Sequence, residues 1–203
     1  FNAKETTEFL IVLSNAMKLN NQIINREVGF SLNETETTFV STNGAEAFQK
    51  ILRSGVSLSA VATSKNVTQR RSWGGGQNAQ SGLEVLNPNI LTSHAKRVAT
   101  EVLELVSAED CPTGTMELLL NPDQLFLQIH ESVGHPLELD RILGDERNYA
   151  GWSFVKPNDF GTLQYGSKLM NIIFDPTVVA QHASYLFDDI GSEAKKEFLI
   201  KDG

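Results

Sequence analysis

The chain is poor in cysteine, in long apolar runs and in positive charge, and each shortage closes off a class of protein. Its 203 residues include one cysteine, Cys111. A disulfide framework within the chain is therefore excluded, and a reducing compartment, the cytoplasm, is the expectation. No apolar stretch approaches the ~20 residues of a membrane-spanning helix. The N-terminal residues show no basic segment followed by an apolar core, so no signal peptide is read there. The first residue is Phe1 rather than Met, so an upstream part is expected to have been removed or to lie outside this sequence. Seventeen Lys and Arg face 25 Asp and Glu, a formal net charge of −8. A general nucleic-acid binder needs a basic face, so no direct nucleic-acid partner is expected; a short basic stretch, residues 65–71, is the local exception.

What is present is ordinary globular material, 40% hydrophobic and 21% charged, enough to bury a core in one large domain or two small ones. Residues 4–20 carry Phe9, Leu10, Leu13 and Met17 at helical spacing. From residue 28 to 73 the texture becomes alternating and rich in Thr, Val, Ser and Phe. Turn signals at Asn33 and Glu34, at Asn43 and Gly44, and at Lys65 and Asn66 predict three or four antiparallel strands. Gly74, Gly75 and Gly76 read as a flexible connection. A long helix follows, with Asn87 as its cap, Pro88 in its first turn, and Leu91, Ala95, Val98, Val102 and Leu105 as its buried stripe. Residues 116–120 read as a short strand. Asn121, Pro122 and Asp123 then form a strong helix start, on a helix expected to turn Leu125, Phe126, Ile129 and Val133 inward. Beyond residue 143 the chain is loop-rich, with strands expected at 169–174, 184–187 and 197–201.

The chemistry sits in His130, Glu131, Ser132, Val133, Gly134 and His135. Catalytic zinc takes neutral imidazoles and keeps one position open for water, whose pKa it lowers. A Glu directly after the first His is where helical zinc peptidases place the base that takes the proton. The spacing departs from the usual i, i+4 pair. At i+5 the second His lies about 140° around a regular helix from the first. Both reach one ion only where the helix is widened or broken. Gly134 loosens the turn, Pro136 removes a donor and disfavours the α region at His135, and a π-type bulge draws i and i+5 together. A distorted or ending helix is expected at residues 132–137. Taken alone, the motif leaves two readings open: a metal site, or a helix end with His135 near the negative pole of the dipole and Glu131 solvated.

The surrounding stretch LQIHESVGHPLELD, residues 127–140, resembles the signature of the TldD/PmbA family, the "modulator of DNA gyrase" metallopeptidases. Weaker likeness covers most of the chain: the alternating strands and glycine-rich segment upstream, YAGWSF at 149–154, and Asp188, Asp189 and Gly191 followed by residues 198–203 downstream. The resemblance implies a TldD-like catalytic subunit in which His130 and His135 bind zinc and Glu131 is the general base. It implies hydrolysis of unfolded or linear peptides gripped as an added β-strand. It also implies a homodimer, or a heterodimer with a PmbA-like paralogue. The third zinc ligand of the family is a downstream cysteine that this sequence does not contain, and family members are much longer. Low or no activity is therefore expected of this chain by itself.

Other residues have blander readings. Cys111 reads as a small buried hydrophobe rather than a substitute ligand. His94 reads as a surface or core-edge histidine, and His182 as a loop residue away from the metal. Glu138 and Asp140 are expected to hold an imidazole NH or to pair at a helix end, with Arg141 as a partner. Residues 145–147 read as a solvated run, and Asp188 and Asp189 equally as a turn. The fold expected is α+β: an N-terminal α/β unit over residues 1–112, with helices on an antiparallel sheet, and the opening of a β-rich catalytic domain over 113–203 that carries the motif helix. The function expected is zinc-dependent peptide hydrolysis. The alternatives are a non-catalytic interaction or dimerisation module and a metal hydrolase acting on something other than peptides.

Overall fold

The computed structural model describes residues 2–74 and 78–203. It is an α+β structure of helices and antiparallel sheets. Two compact units are present: residues 1–111 with 174–197, and residues 112–173 with 198–203. The segment 174–197 thus belongs with the first unit, although in sequence it lies within the expected second part.

In the first unit, Asn2 caps helix α1 (Ala3–Ala16), its side chain accepting from the amides of Lys4 and Glu5. Strands β1 (Ile23–Val40), β2 (Glu46–Ser64) and β3 (Val67–Trp73) follow, with the two-residue β4 (Asn78–Ala79) beside β2. All pairings are antiparallel. Turns fall where Gly44 (φ 88°) and Lys65 (φ 54°) enter the left-handed region. The signal at Asn33 and Glu34 is overridden: β1 runs straight through, Asn33 opposite Arg53 and Glu34 opposite Leu52. Cross-strand charge favours the longer ladder there, since Lys50 lies 2.8 Å from Glu34 and 2.9 Å from Glu36. The expected glycine-rich connection is described only at Gly74, where a Cβ would come within 2.0 Å of the Val56 carbonyl oxygen; Gly75 and Gly76 lie outside the described residues.

Helix α2 (Pro88–Leu105) begins as expected, with Asn87 accepting from the amides of Asn89 and Ile90. Of its expected stripe Leu91, Ala95, Val98 and Val102 are buried, with Ala99 beside them, while Leu105 is only half-buried. This stripe meets Leu13 of α1, Met17 at its C-terminal cap and the inward series Val56, Leu58, Ala60 and Ala62 of β2 in one core. The period of two in β2 and of 3.6 in α2 are the two halves of that interface. His94, at the margin of the stripe, stacks on Trp73 with ring centroids 4.0 Å apart. Segment 174–197 is fastened to β2 through Gln49, whose side chain accepts from the Leu186 amide and donates to the Phe187 carbonyl. Arg53 Nε donates to the His182 carbonyl.

The second unit contains helices α3 (Pro122–Ile129) and α4 (Leu139–Leu143). A ladder of β5 (Ile172–Phe174) with β6 (Glu197–Ile200) lies largely within it. Residues 116–120 form no strand, and Leu119 is 96% exposed. An apolar run becomes a strand only where another strand pairs with it. Residues 184–187 likewise form only an isolated bridge, Phe187 to Glu193. On α3 the apolar stripe is present, but of the four residues expected inward Val133 alone is buried; Phe126 is 58% exposed. Asn121 makes no side-chain cap bond. No helix among the described residues is long and apolar enough to cross a membrane.

Two consequences are measurable. Leu91→Ala empties a fully enclosed site in the first unit's core, so unfolding by denaturant should show a loss of about 2–5 kcal/mol. Burial, and then the nearby Arg97 charge, hold the His94 imidazole below its ordinary pKa. The unfolded chain therefore takes up this proton first as pH falls. Stability from His94 is fully present above about 6.5 and declines as pH drops through the folded pKa. Thermal melts should show His94→Phe flattening that decline.

Candidate metal centre

The motif helix widens at the motif itself. His130–Gly134 form a single π-helical turn, closed by the His135 amide donating to the His130 carbonyl five residues back. The distortion starts at His130, two residues before the expected 132–137. The turn needs no left-handed glycine, since Gly134 has φ −56°. Pro136, which has no amide hydrogen, then tightens the chain into a 3₁₀ turn, His135–Leu137. Glu138 is extended, and α4 starts after it and ends at Gly144 in the left-handed conformation.

This geometry sets the two imidazoles edge to face, ring centroids 4.2 Å apart, over a common space. Among the described residues, His130, Glu131 and His135 are the one cluster of three such side chains whose donor atoms converge, all within 4.8 Å of one another. Zinc bonds of about 2 Å span roughly 4 Å end to end. His130 and Glu131 are half exposed or more, so small side-chain rotations close the difference. The two imidazoles are two of the three protein ligands usual at a catalytic zinc, and Glu131 beside them is placed to act on a water there.

Supports surround the cluster. His135 Nδ1 lies 2.9 Å from Glu138 Oε1. The other Glu138 oxygen accepts from Arg141, which also donates to the Ala150 carbonyl. The His135 hydrogen bond, then Arg141, hold the Glu138 carboxyl below the usual carboxylate range. Asp140 instead accepts from the Arg141 amide. Buried Ser153 donates to the Pro136 carbonyl at 2.6 Å and accepts from the Val155 amide at 3.0 Å. Tyr165 donates its hydroxyl to the Ser132 carbonyl, inside the wide turn. Ser153 lies in the YAGWSF stretch that carried the resemblance. Tyr165 gave no sequence signal, because its partner is a backbone atom 33 residues away.

The remaining expectations resolve elsewhere. Cys111 is exposed, not buried as read from its residue type. His182 offers its carbonyl to Arg53, in the first unit. Asp188 organises a turn, accepting from the amides of Ile190 and Ser192. A cavity of about 480 Å³ in the first unit, bordered by Gln49, Gln80, Tyr185 and Leu186 among others, has neither His nor Cys in its lining and is not the site of this chemistry.

Comparison with known proteins decides the family. Residues 1–106 match the PmbA/TldA metallopeptidase central domain, and residues 113–203 match its C-terminal domain. The chain belongs to the TldD/PmbA family. It is 28% identical over 165 residues to "Metalloprotease MJ0996" of Methanocaldococcus jannaschii, covering 81% of this chain and 34% of that protein. It is 29% identical over 175 residues to a "Metalloprotease TldD homolog" of Haemophilus influenzae, with 83% and 34% covered. This TldD/PmbA chain therefore spans about a third of the length of these curated relatives. The fold is shared with the crystal structure of a Thermotoga maritima protein described as a modulator of a DNA gyrase. That match has a TM-score of 0.71 and 18% identity, and covers all of this chain and 44% of the other.

Removing the Tyr165 hydroxyl leaves the Ser132 carbonyl with one partner fewer. Tyr165→Phe should lower the second unit's stability by about 1 kcal/mol, read by hydrogen exchange of the amides of residues 130–137. Unchanged exchange in that turn would show that the hydroxyl does not brace it.

Proposed function

We propose that this protein is the metal-binding part of a zinc-dependent peptidase, with His130 and His135 as ligands and Glu131 as general base. The observation that carries the reading is the π turn, which makes a five-residue His spacing converge on one space with Glu131 at its rim. The names of the relatives support a metallopeptidase at the coarser level.

Zinc held by the two imidazoles supplies the Lewis acidity that makes a water nucleophilic near neutral pH. The chain's own residues handle the proton and the positioning. Glu131 accepts the proton that the attacking water loses and delivers it to the leaving amine, a role its position next to His130 allows in either direction. Tyr165 and Ser153, by holding backbone carbonyls at 132 and 136, keep the two ligand-bearing turns in place. The substrate class we propose is unfolded or linear peptide, the compartment the cytoplasm, and the working form a dimer with itself or a PmbA-like paralogue. The second reading, an interaction module, is favoured by no specific contact at the motif.

The test separates binding from chemistry and is made on the protein extended through the downstream domain, where the family's third ligand lies. Zinc content should be lost in His130→Ala and in His135→Ala. In Glu131→Gln the zinc should remain while peptide hydrolysis falls by about 10²- to 10⁴-fold. Chelation should abolish hydrolysis and zinc readdition restore it. Zinc uptake by the unaltered protein no greater than by His130→Ala would refute the reading.

A further inference from the structure

His135 has two ring nitrogens with different fates. Its Nδ1 lies 2.9 Å from Glu138 Oε1. An ionised carboxylate only accepts, so a neutral His135 must carry its proton on Nδ1 and keep its lone pair on Nε2. Glu138 is itself held, because its other oxygen accepts from Arg141 Nε. Arg141 is anchored in turn: its side chain is 17% exposed and donates to the Ala150 carbonyl. The chain of contacts thus ends in backbone rather than in solvent. Its regular spacing, 135, 138 and 141, follows from the local structure. The 3₁₀ turn and the first turn of α4 each set residues three apart on one side.

We propose that Glu138, anchored by Arg141, is a positioning residue that fixes His135 as the Nδ1–H tautomer and aims Nε2 into the space shared with His130 and Glu131. The part of this that concerns metal affinity rests on the metal reading above; the tautomer concerns the chain alone. Partners of this kind raise the basicity of the ligating nitrogen and remove the entropy of ring rotation. Their loss typically weakens metal binding by 10- to 100-fold.

Long-range ¹H–¹⁵N spectra of the histidine rings test the tautomer in the metal-free full chain, near pH 8, where an ordinary imidazole with pKa about 6.5 is neutral. His135 is assigned by loss of its signals in His135→Gln. The expected result is an Nδ1–H ring in the unaltered chain and in Glu138→Gln, which keeps a carbonyl acceptor. Glu138→Ala should give a mixed or Nε2–H ring, the form a free side chain prefers. Zinc affinity, measured by competition with a chromophoric chelator, should fall about 10- to 100-fold in Glu138→Ala and recover in Glu138→Gln. An unchanged tautomer in a folded Glu138→Ala overturns the proposal whether or not zinc binds. A tautomer that responds to Glu138→Ala, with no zinc taken up even by the protein extended through the downstream domain, sustains the positioning role and sinks the metal reading. If Glu138→Ala fails to fold, Arg141→Gln replaces it: a freed ring supports the anchor, and an unmoved one overturns it.

Discussion

One backbone hydrogen bond, from the His135 amide to the His130 carbonyl, sets the character of this molecule's second unit. A regular helix would place those two side chains on well-separated faces. A turn closed at five residues instead brings them over one space, and the carboxylate between them comes along. The neighbouring features protect that bond or compensate for it. Tyr165 takes up a carbonyl inside the widened turn. Pro136 ends the ladder immediately after it, and Glu138 restarts the chain in an extended conformation before α4. A π turn sacrifices regular i→i+4 bonding, so it persists only where such contacts replace what is lost.

The site is built from weak parts with a directional logic. Of its three donor groups His130 and Glu131 are exposed and His135 is half-buried. Precision comes from the layer behind them: a carboxylate on one imidazole, a guanidinium on that carboxylate, and a loop carbonyl at the end. Arg141 suits this place better than Lys would, since its planar fork reaches Glu138 and the Ala150 carbonyl at once. The same loop returns through Ser153 to the Pro136 carbonyl. The turns that carry the two histidines are thus held from one side by hydrogen bonds to backbone, which do not depend on salt as exposed ion pairs do.

The first unit shows the opposite economy. Its order comes from apolar contact, with α1 and α2 laid on the inward face of β2. Small residues recur on both surfaces, Ala60 and Ala62 on the strand, Ala95 and Ala99 on the helix, which suits close approach of helix to sheet. Here periodicity and structure agree, because each periodic pattern meets its complement within the same unit.

The sequence by itself determined most of the periodic elements and marked the motif as the candidate site. The caps at Asn87 and Pro88, the stripe of α2, the alternation of β2 and the glycine turn at residue 44 all follow from local sterics and side-chain period. His130, Glu131 and His135 pointed to a metal site by residue type, and Gly134 with Pro136 pointed to an irregular helix. Tertiary structure alone decided the rest. It overrode the turn signal at Asn33 because β2 offered a charged partner across the strand. It left residues 116–120 unpaired and Phe126 exposed, since an apolar run marks a surface to be covered without supplying the cover. It also converted a five-residue spacing into convergence, with Tyr165 and Ala150 supplying contacts from outside the motif. Local sequence fixes backbone preference over a few residues, whereas hydrogen bonds between groups 9 to 33 residues apart form only once the chain has closed those loops.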